Sequence, residues 1–262
     1  MRDNKTNVVR RVYPSPIGSS GSLVGICAVL AVWEIASAQY GSLLLPSPRA
    51  ALQELAGLWQ QGEVVSAAAA TAVRALAGFL AAAALGVSFG LLAGRSLLAA
   101  RLLEPISTLL LSVPPIAWVV LAIIWFQGDL LIAMFTVAAT TLPITFAAAQ
   151  AGGQTVDPDL DEMVRAYRLR GRQRLTWLML PHIIAYVFPA LTTALGIAWK
   201  VTVMTELLAL ADGMGAEMAG ARASLDTAST LAWIVHIAGL LIALEHGLLR
   251  PLQRHSEPWR RV

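Results

Sequence analysis

The chain has 262 residues, 57% of them hydrophobic and only 13% charged; soluble domains run near 45–50% apolar and about 25% charged. That balance excludes a soluble domain of this size and allows five to seven membrane-spanning helices, each of about 20 apolar residues. The net charge of +3 would suit nucleic acid only if the bases shared one face; they are spread over separate loops, so no nucleic-acid partner is expected. The single cysteine, Cys27, lies in an apolar run, which leaves no disulfide framework or thiolate metal site.

In chain order, polar residues up to Ser22 lead into the first apolar run without an A-x-A-like exit, so no cleaved signal is expected. Six apolar runs follow, roughly 17–38, 67–93, 106–126, 130–149, 183–208 and 228–249. Backbone polar groups in lipid must be satisfied internally, so each run is predicted to be a helix. Between the first two, Leu45-Pro46-Ser47-Pro48 opens a stretch in which Leu52, Leu55, Ala56 and Trp59 fall at helical spacing, predicting a short helix at the membrane surface. The domain division that results is a cytoplasmic segment 1–16, a membrane domain 17–249 with a cytoplasmic loop 151–181, and a cytoplasmic tail 250–262.

The bases set the orientation. With the N-terminus inside, fifteen of the 19 basic residues fall on the cytoplasmic side, five of them between Arg165 and Arg174; only Arg49 and Arg222 lie opposite. The positive-inside rule therefore places both termini in the cytoplasm. Within the long loop, Asp157-Pro158 supplies a helix start, with Asp at the N-cap and Pro at the first helical position. Asp159, Asp161 and Glu162 fill the first turn and Arg165 follows, an order that complements the helix dipole. Leu160, Met163, Val164 and Tyr167 form one apolar stripe. Such a helix either lies on the membrane or docks on a soluble partner, and Gly171 is expected to end it.

The same loop, Asp157-Pro158-Asp159-Leu160-Asp161-Glu162 with Leu180-Pro181, resembles the EAA loop of binding-protein-dependent ABC permeases. Leu45-Pro46-Ser47-Pro48, Gly78-Phe79, Val113-Pro114-Pro115-Ile116, Trp125-Phe126 and Gly196-Ile197-Ala198-Trp199 with Glu206 resemble the nitrate/sulfonate/taurine-type branch, over nearly the whole chain. The pattern departs at Arg168, where the motif has glycine, and at Met163 and Val164, where it has alanines. The resemblance implies an all-α membrane protein of type I ABC importer permease architecture in a bacterial inner membrane. It implies a separate ABC ATPase dimer contacted through Leu160, Asp161, Glu162, Met163, Val164, Arg165, Tyr167 and Gly171. It also implies a periplasmic or lipid-anchored substrate-binding protein and a small anion such as a sulfonate or nitrate as cargo.

Features inside the runs carry the remaining chemistry. Gly86, Gly90 and Gly94 recur every four residues, with Gly78 two turns earlier, which predicts close helix packing. Pro114-Pro115 interrupts the third run, giving either a kink that shapes a pathway or a static one. Lys200, beside Trp199 and before Glu206, either pairs with an acid such as Glu34 or Glu245 or lines an anion path; Arg74 has the same two readings. His236 is expected to be a hydrogen-bonded packing residue rather than a ligand.

No phosphate-binding G-x-x-x-x-G-K-[ST] or H-E-x-x-H motif is present, so no cofactor or metal is expected and hydrolysis must come from another polypeptide. A chain this short is expected to work as a homodimer around a central passage. The rival is a self-sufficient transporter or channel with Glu34, Lys200, Glu206, His236 and Glu245 as a relay, which should show inverted repeats. An intramembrane enzyme would need a supporting motif around Ser88, Ser112 or His236, and none is found.

Overall fold

With no water in a bilayer core to bond the peptide groups, a chain this apolar has to close its hydrogen bonds within each segment, and the regular structure among the described residues is helical throughout. The computed structural model describes residues 19–155, 162, 166–167, 171–245 and 247. In chain order these form α1 (Ser19–Tyr40), α2 (Pro48–Gln61), α3 (Glu63–Arg95), α4 (Leu97–Ser112), α5 (Pro115–Trp125) and α6 (Asp129–Gln154). After the loop come α7 (Gly171–Arg174), a π-helical turn (Leu175–Met179), α8 (Leu180–Ala209), α9 (Met214–Ala223) and α10 (Thr227–Leu244).

Local chemistry sets the boundaries. The Ser47 hydroxyl accepts the Ala50 N–H at 3.2 Å with Pro48 in the first turn, and Gly62 (φ +79) ends α2 in the left-handed conformation. Gly62 alone joins α2 to α3. The Asp226 carboxylate caps α10 by accepting the Ser229 N–H at 3.0 Å; this bond, with the Ser229 hydroxyl, holds its carboxyl below the usual range.

All six apolar runs contain helix, but among the described residues fewer than six segments qualify as spans by length and composition. Four helical segments do: α3, α6, the run Thr176–Ala209 and α10. The pair α4–α5 makes a fifth if counted as one span, and it is bent by 99°; the apolar part of α1, Val24–Tyr40, is shorter. The third run also differs in kind. Its helix starts at Leu97, capped by Ser96, and stops before Val113 and Pro114, both extended. Two consecutive prolines lack N–H donors, and the residue before a proline avoids the α-region, so the chain breaks where a kink was expected.

The core is built on α3 against α6. A Cβ on Gly94 would lie 2.8 Å from the Gln150 carbonyl oxygen and 2.9 Å from Gly153 Cα, and Gly78, Gly86 and Gly90 meet α6 as closely. The glycine period therefore marks packing within the subunit. Thr145 Oγ1 donates across this contact to the Ala82 carbonyl at 3.1 Å. Val137 of α6 packs on Ala198 and Val201 of α8. A second cluster joins Leu58, Val64, Ala75, Trp199, Met214 and Trp233 from α2, α3, α8, α9 and α10.

Candidate functional site

A guanidinium inside an apolar helix must find acids at its own depth, and Arg74 finds three. Its Nη1 lies 3.0 Å from Glu206 Oε1 and donates to the Asp212 carbonyl at 2.8 Å. Its Nη2 bonds the Asp212 carboxylate closely and lies 3.5 Å from Asp129 Oδ2. The cluster thus ties α3 to α8, to the α8–α9 turn and to the start of α6. Glu206 is fully buried; its Oε2 accepts the Thr71 hydroxyl at 2.8 Å and the Gly215 N–H at 3.1 Å. Thr71 in turn accepts the Met214 N–H at 3.1 Å.

Two glycines let the turn lie this close. Gly213 has φ +104, and a Cβ there would fall within 2.7 Å of Glu206 Oε2; one on Gly215 would lie 2.8 Å from Glu206 Cβ. The inner side of the cluster is dry, whereas the Asp129 and Asp212 side chains remain 40% and 61% exposed. On α9 the Glu217 carboxyl is raised above its ordinary range, first by burial and then by Glu63 and Asp212. Sequence reasoning singled out Arg74 and Glu206 but not their contact, nor Asp129 and Asp212. The available signal was Asp212-Gly213-Met214-Gly215, an acid and two glycines directly after an apolar run.

Lys200 lies elsewhere on α8. It is exposed, and the ion pairs among the described residues all involve Arg74, so the described residues supply no acid for it. Thr193 and Gly196 share its helical face; Thr193 is exposed, and no heavy atom lies within 4 Å of a Cβ built on Gly196. Trp199 is turned into the core, 5% exposed. That face therefore carries a hydroxyl, open space and an ammonium.

Pro114 and Pro115 stand at the α4–α5 break, with Pro115 opening α5. Below it, a cavity of about 240 Å³ between α4 and α6 is lined by Glu104, Ser107, Thr108 and Gln150 among others, and Gln150 Nε2 donates to Glu104. Glu104 escaped the sequence reading because the third run was begun at residue 106.

Of the expected coupling residues, Leu160, Asp161, Met163, Val164 and Arg165 lie outside the described residues. Glu162 is helical and exposed, Tyr167 is 75% exposed, and Gly171 opens α7; whether a helix ends on Gly171 turns on neighbours outside the described residues. The π-helical turn joins α7 to α8 without a break, so helical structure is continuous from Gly171 to Ala209.

A protein-family profile described as "Binding-protein-dependent transport system inner membrane component" matches residues 86–262. The chain belongs to this family of ABC transport permeases. The permease is 32% identical to the taurine transport system permease protein TauC of Escherichia coli (strain K12), over 90% of this chain and 88% of that protein. It is 27% identical to the putative aliphatic sulfonates transport permease protein SsuC of Bacillus subtilis (strain 168), over 88% and 84%. Identity to the nitrate import permease protein NrtB of Synechocystis sp. is 30%, over 73% of each chain.

The geometry gives the rival relay little to work with in this permease. Glu206 is taken up by Arg74, while Glu34 lines a groove between α1 and α2. His236 is buried against Trp59 and Trp233, ring centroids 5.6 and 6.0 Å away, but its Nε2 has no hydrogen-bond partner among the described residues, against the expected hydrogen-bonded packing; Glu245 caps α10. Among the described residues no group of three or more His, Cys, Asp or Glu side chains is arranged to hold a metal.

Proposed function

We propose that the permease forms half of the translocation pathway of an ATP-driven importer for a small oxyanion in a bacterial inner membrane. It works as a homodimer, with an ABC ATPase dimer on the cytoplasmic side and a substrate-binding protein outside. In this reading α1, α3, the bent pair α4–α5, α6, α8 and α10 are the six spans, both termini are cytoplasmic, and α2 and α9 lie at the outer surface. The residues around Leu160, Met163 and Val164 dock on the ATPase, and the π-helical turn carries their movement into α8.

The observation that carries the anion reading is Lys200. An ammonium at mid-bilayer costs at least about 2.5 kcal/mol, so an exposed lysine without an acid among the described residues belongs against a polar space. The face shared with Thr193 and Gly196 supports reading that space as the passage. The Arg74 cluster then fixes the outer ends of α3, α6 and α8 as a scaffold beside it. The names of the relatives support the same class, since taurine, sulfonates and nitrate all present an oxyanion.

The test is reconstitution in liposomes with the partner ATPase and receptor. ATP-dependent uptake of an alkanesulfonate, nitrate or bicarbonate is the expected result. Uptake that persists without the ATPase would return the self-sufficient transporter, and uptake confined to cations would overturn the anion reading. Reporter fusions after Gln60, Gly128 and Ala221 should read as external, and one after Gln173 as cytoplasmic.

A further inference from the structure

The groove between α1 and α2 is not used by the transport reading. It has a volume of about 480 Å³, with Leu30, Pro48, Leu52 and Ala56 as apolar wall and Glu34, Arg49 and Gln53 as polar groups. Two local features place these groups. The Trp33 indole N–H donates to the Pro46 carbonyl at 3.0 Å, pinning α1 to the connection, and the Ser47 cap sets Arg49 in the first turn of α2. Glu34 stands six residues before the end of α1, about 9 Å along the axis at 1.5 Å per residue.

The charges in this groove are unusual for such a place. Glu34 is exposed on an otherwise apolar helix, and neither it nor Arg49 belongs to an ion pair among the described residues, although both line the same groove. An acid and a base held apart across a slot with apolar walls call for an occupant that carries the opposite charges at matching separation. In an inner membrane component, lipid is the molecule at hand that carries both charges together with an acyl chain.

We infer that this groove holds a phospholipid with a primary-ammonium headgroup, of the phosphatidylethanolamine type. Its phosphate sits on Arg49 and Gln53, its ammonium donates to the Glu34 carboxylate, and an acyl chain lies along Leu30, Leu52 and Ala56. A purely anionic lipid leaves Glu34 facing more negative charge. A quaternary choline head has no N–H to give to the carboxylate, so it binds less well. The site rests on the membrane embedding of the family and on neither the cargo nor the orientation.

The permease complex is placed in nanodiscs of phosphatidylethanolamine, phosphatidylglycerol and phosphatidylcholine in equal parts, then released, and its retained lipid is read by native mass spectrometry. The wild type should keep phosphatidylethanolamine over the other two. Arg49→Gln should lower that retention roughly tenfold, the worth of about one charge-assisted hydrogen bond, and Arg49→Lys should restore most of it. Glu34→Gln should keep a lipid bound but lose the preference for phosphatidylethanolamine over phosphatidylglycerol. Equal retention by wild type and both neutral variants would overturn the site. So would a wild type that keeps no lipid, the result expected if a second copy of the chain covers the groove. Because the readout is bound lipid, failure here would leave ATP-driven anion uptake untouched, and failure of uptake would leave this site standing.

Discussion

Arg74 shows how a single charge is made tolerable in an apolar helix, and at what cost its partners can be removed. It faces Glu206, Asp212 and Asp129 at once, and removing one member of a buried pair commonly costs about 3–5 kcal/mol. Arg74→Met leaves the fully buried Glu206 with no cation and should show that full loss as a drop in the thermal midpoint of the purified complex. Glu206→Gln should cost less, because Asp212 and Asp129 still balance the guanidinium and the amide oxygen still accepts from Thr71 and Gly215, the loss being the Arg74 Nη1 bond, which the amide NH2 cannot accept. Equal losses would mean that charge balance is not what the cluster provides. Glu217 supplies a pH-dependent counterpart on α9. Its carboxyl is raised by burial, Glu63 and Asp212, so it holds its proton more firmly folded than unfolded. The stability it contributes is then present at low pH and lost as pH rises through its folded titration range. Glu217→Gln should raise the thermal midpoint near pH 7, and the gain should shrink towards about pH 4, where the wild-type carboxyl is mostly protonated.

Between elements, the contact of α3 with α6 is the one most exposed to small changes. A side chain at Gly94 meets backbone atoms of Gln150 and Gly153, and backbone cannot step aside as a flexible side chain can. Gly94→Val should therefore prevent recovery of an assembled complex, read by size-exclusion after extraction. Gly57→Ala, on α2 with nothing within 4 Å of the added carbon, should assemble normally and gain up to about 1 kcal/mol of helix propensity. This contact was legible in the sequence, because a four-residue glycine period needs only the helix repeat to become a face. The break at α4–α5 was half legible. Pro114-Pro115 announced an interruption, but its 99° angle depends on what packs beside it. The start of α4 was lost because Arg101 and Glu104 interrupt the apolar window, although Glu104 is exposed and accepts from the Gln150 amide, 46 residues away.

Across the whole molecule, the sequence announced the membrane class, the apolar runs and the family because each is written locally, in composition, in periodicity or in short ordered motifs. The Arg74 cluster joins positions 132 and 138 residues apart, and no local pattern relates them; the sequence could demand a partner for Arg74 without naming it. The same demand was made for Lys200, and there the described residues give no answer. That difference is what makes Lys200 the place to test the proposed pathway. If Lys200 were a structural pair, its acid would have to come from a second copy or from residues outside the described part, and Lys200→Met would leave that acid uncompensated, lowering the stability of the complex. If it faces the passage, the same change removes no buried pair and leaves the core residues Trp199 and Val201 in place. The expected outcome is an assembled complex whose thermal midpoint is unchanged, with an ATP-driven uptake rate reduced roughly tenfold or more, the worth of one charge-assisted contact to a passing anion. Lys200→Arg should recover much of the rate, since it keeps the charge. A complex that loses stability with Lys200→Met while the surviving fraction transports at the wild-type rate would move Lys200 from the passage to the interface between subunits.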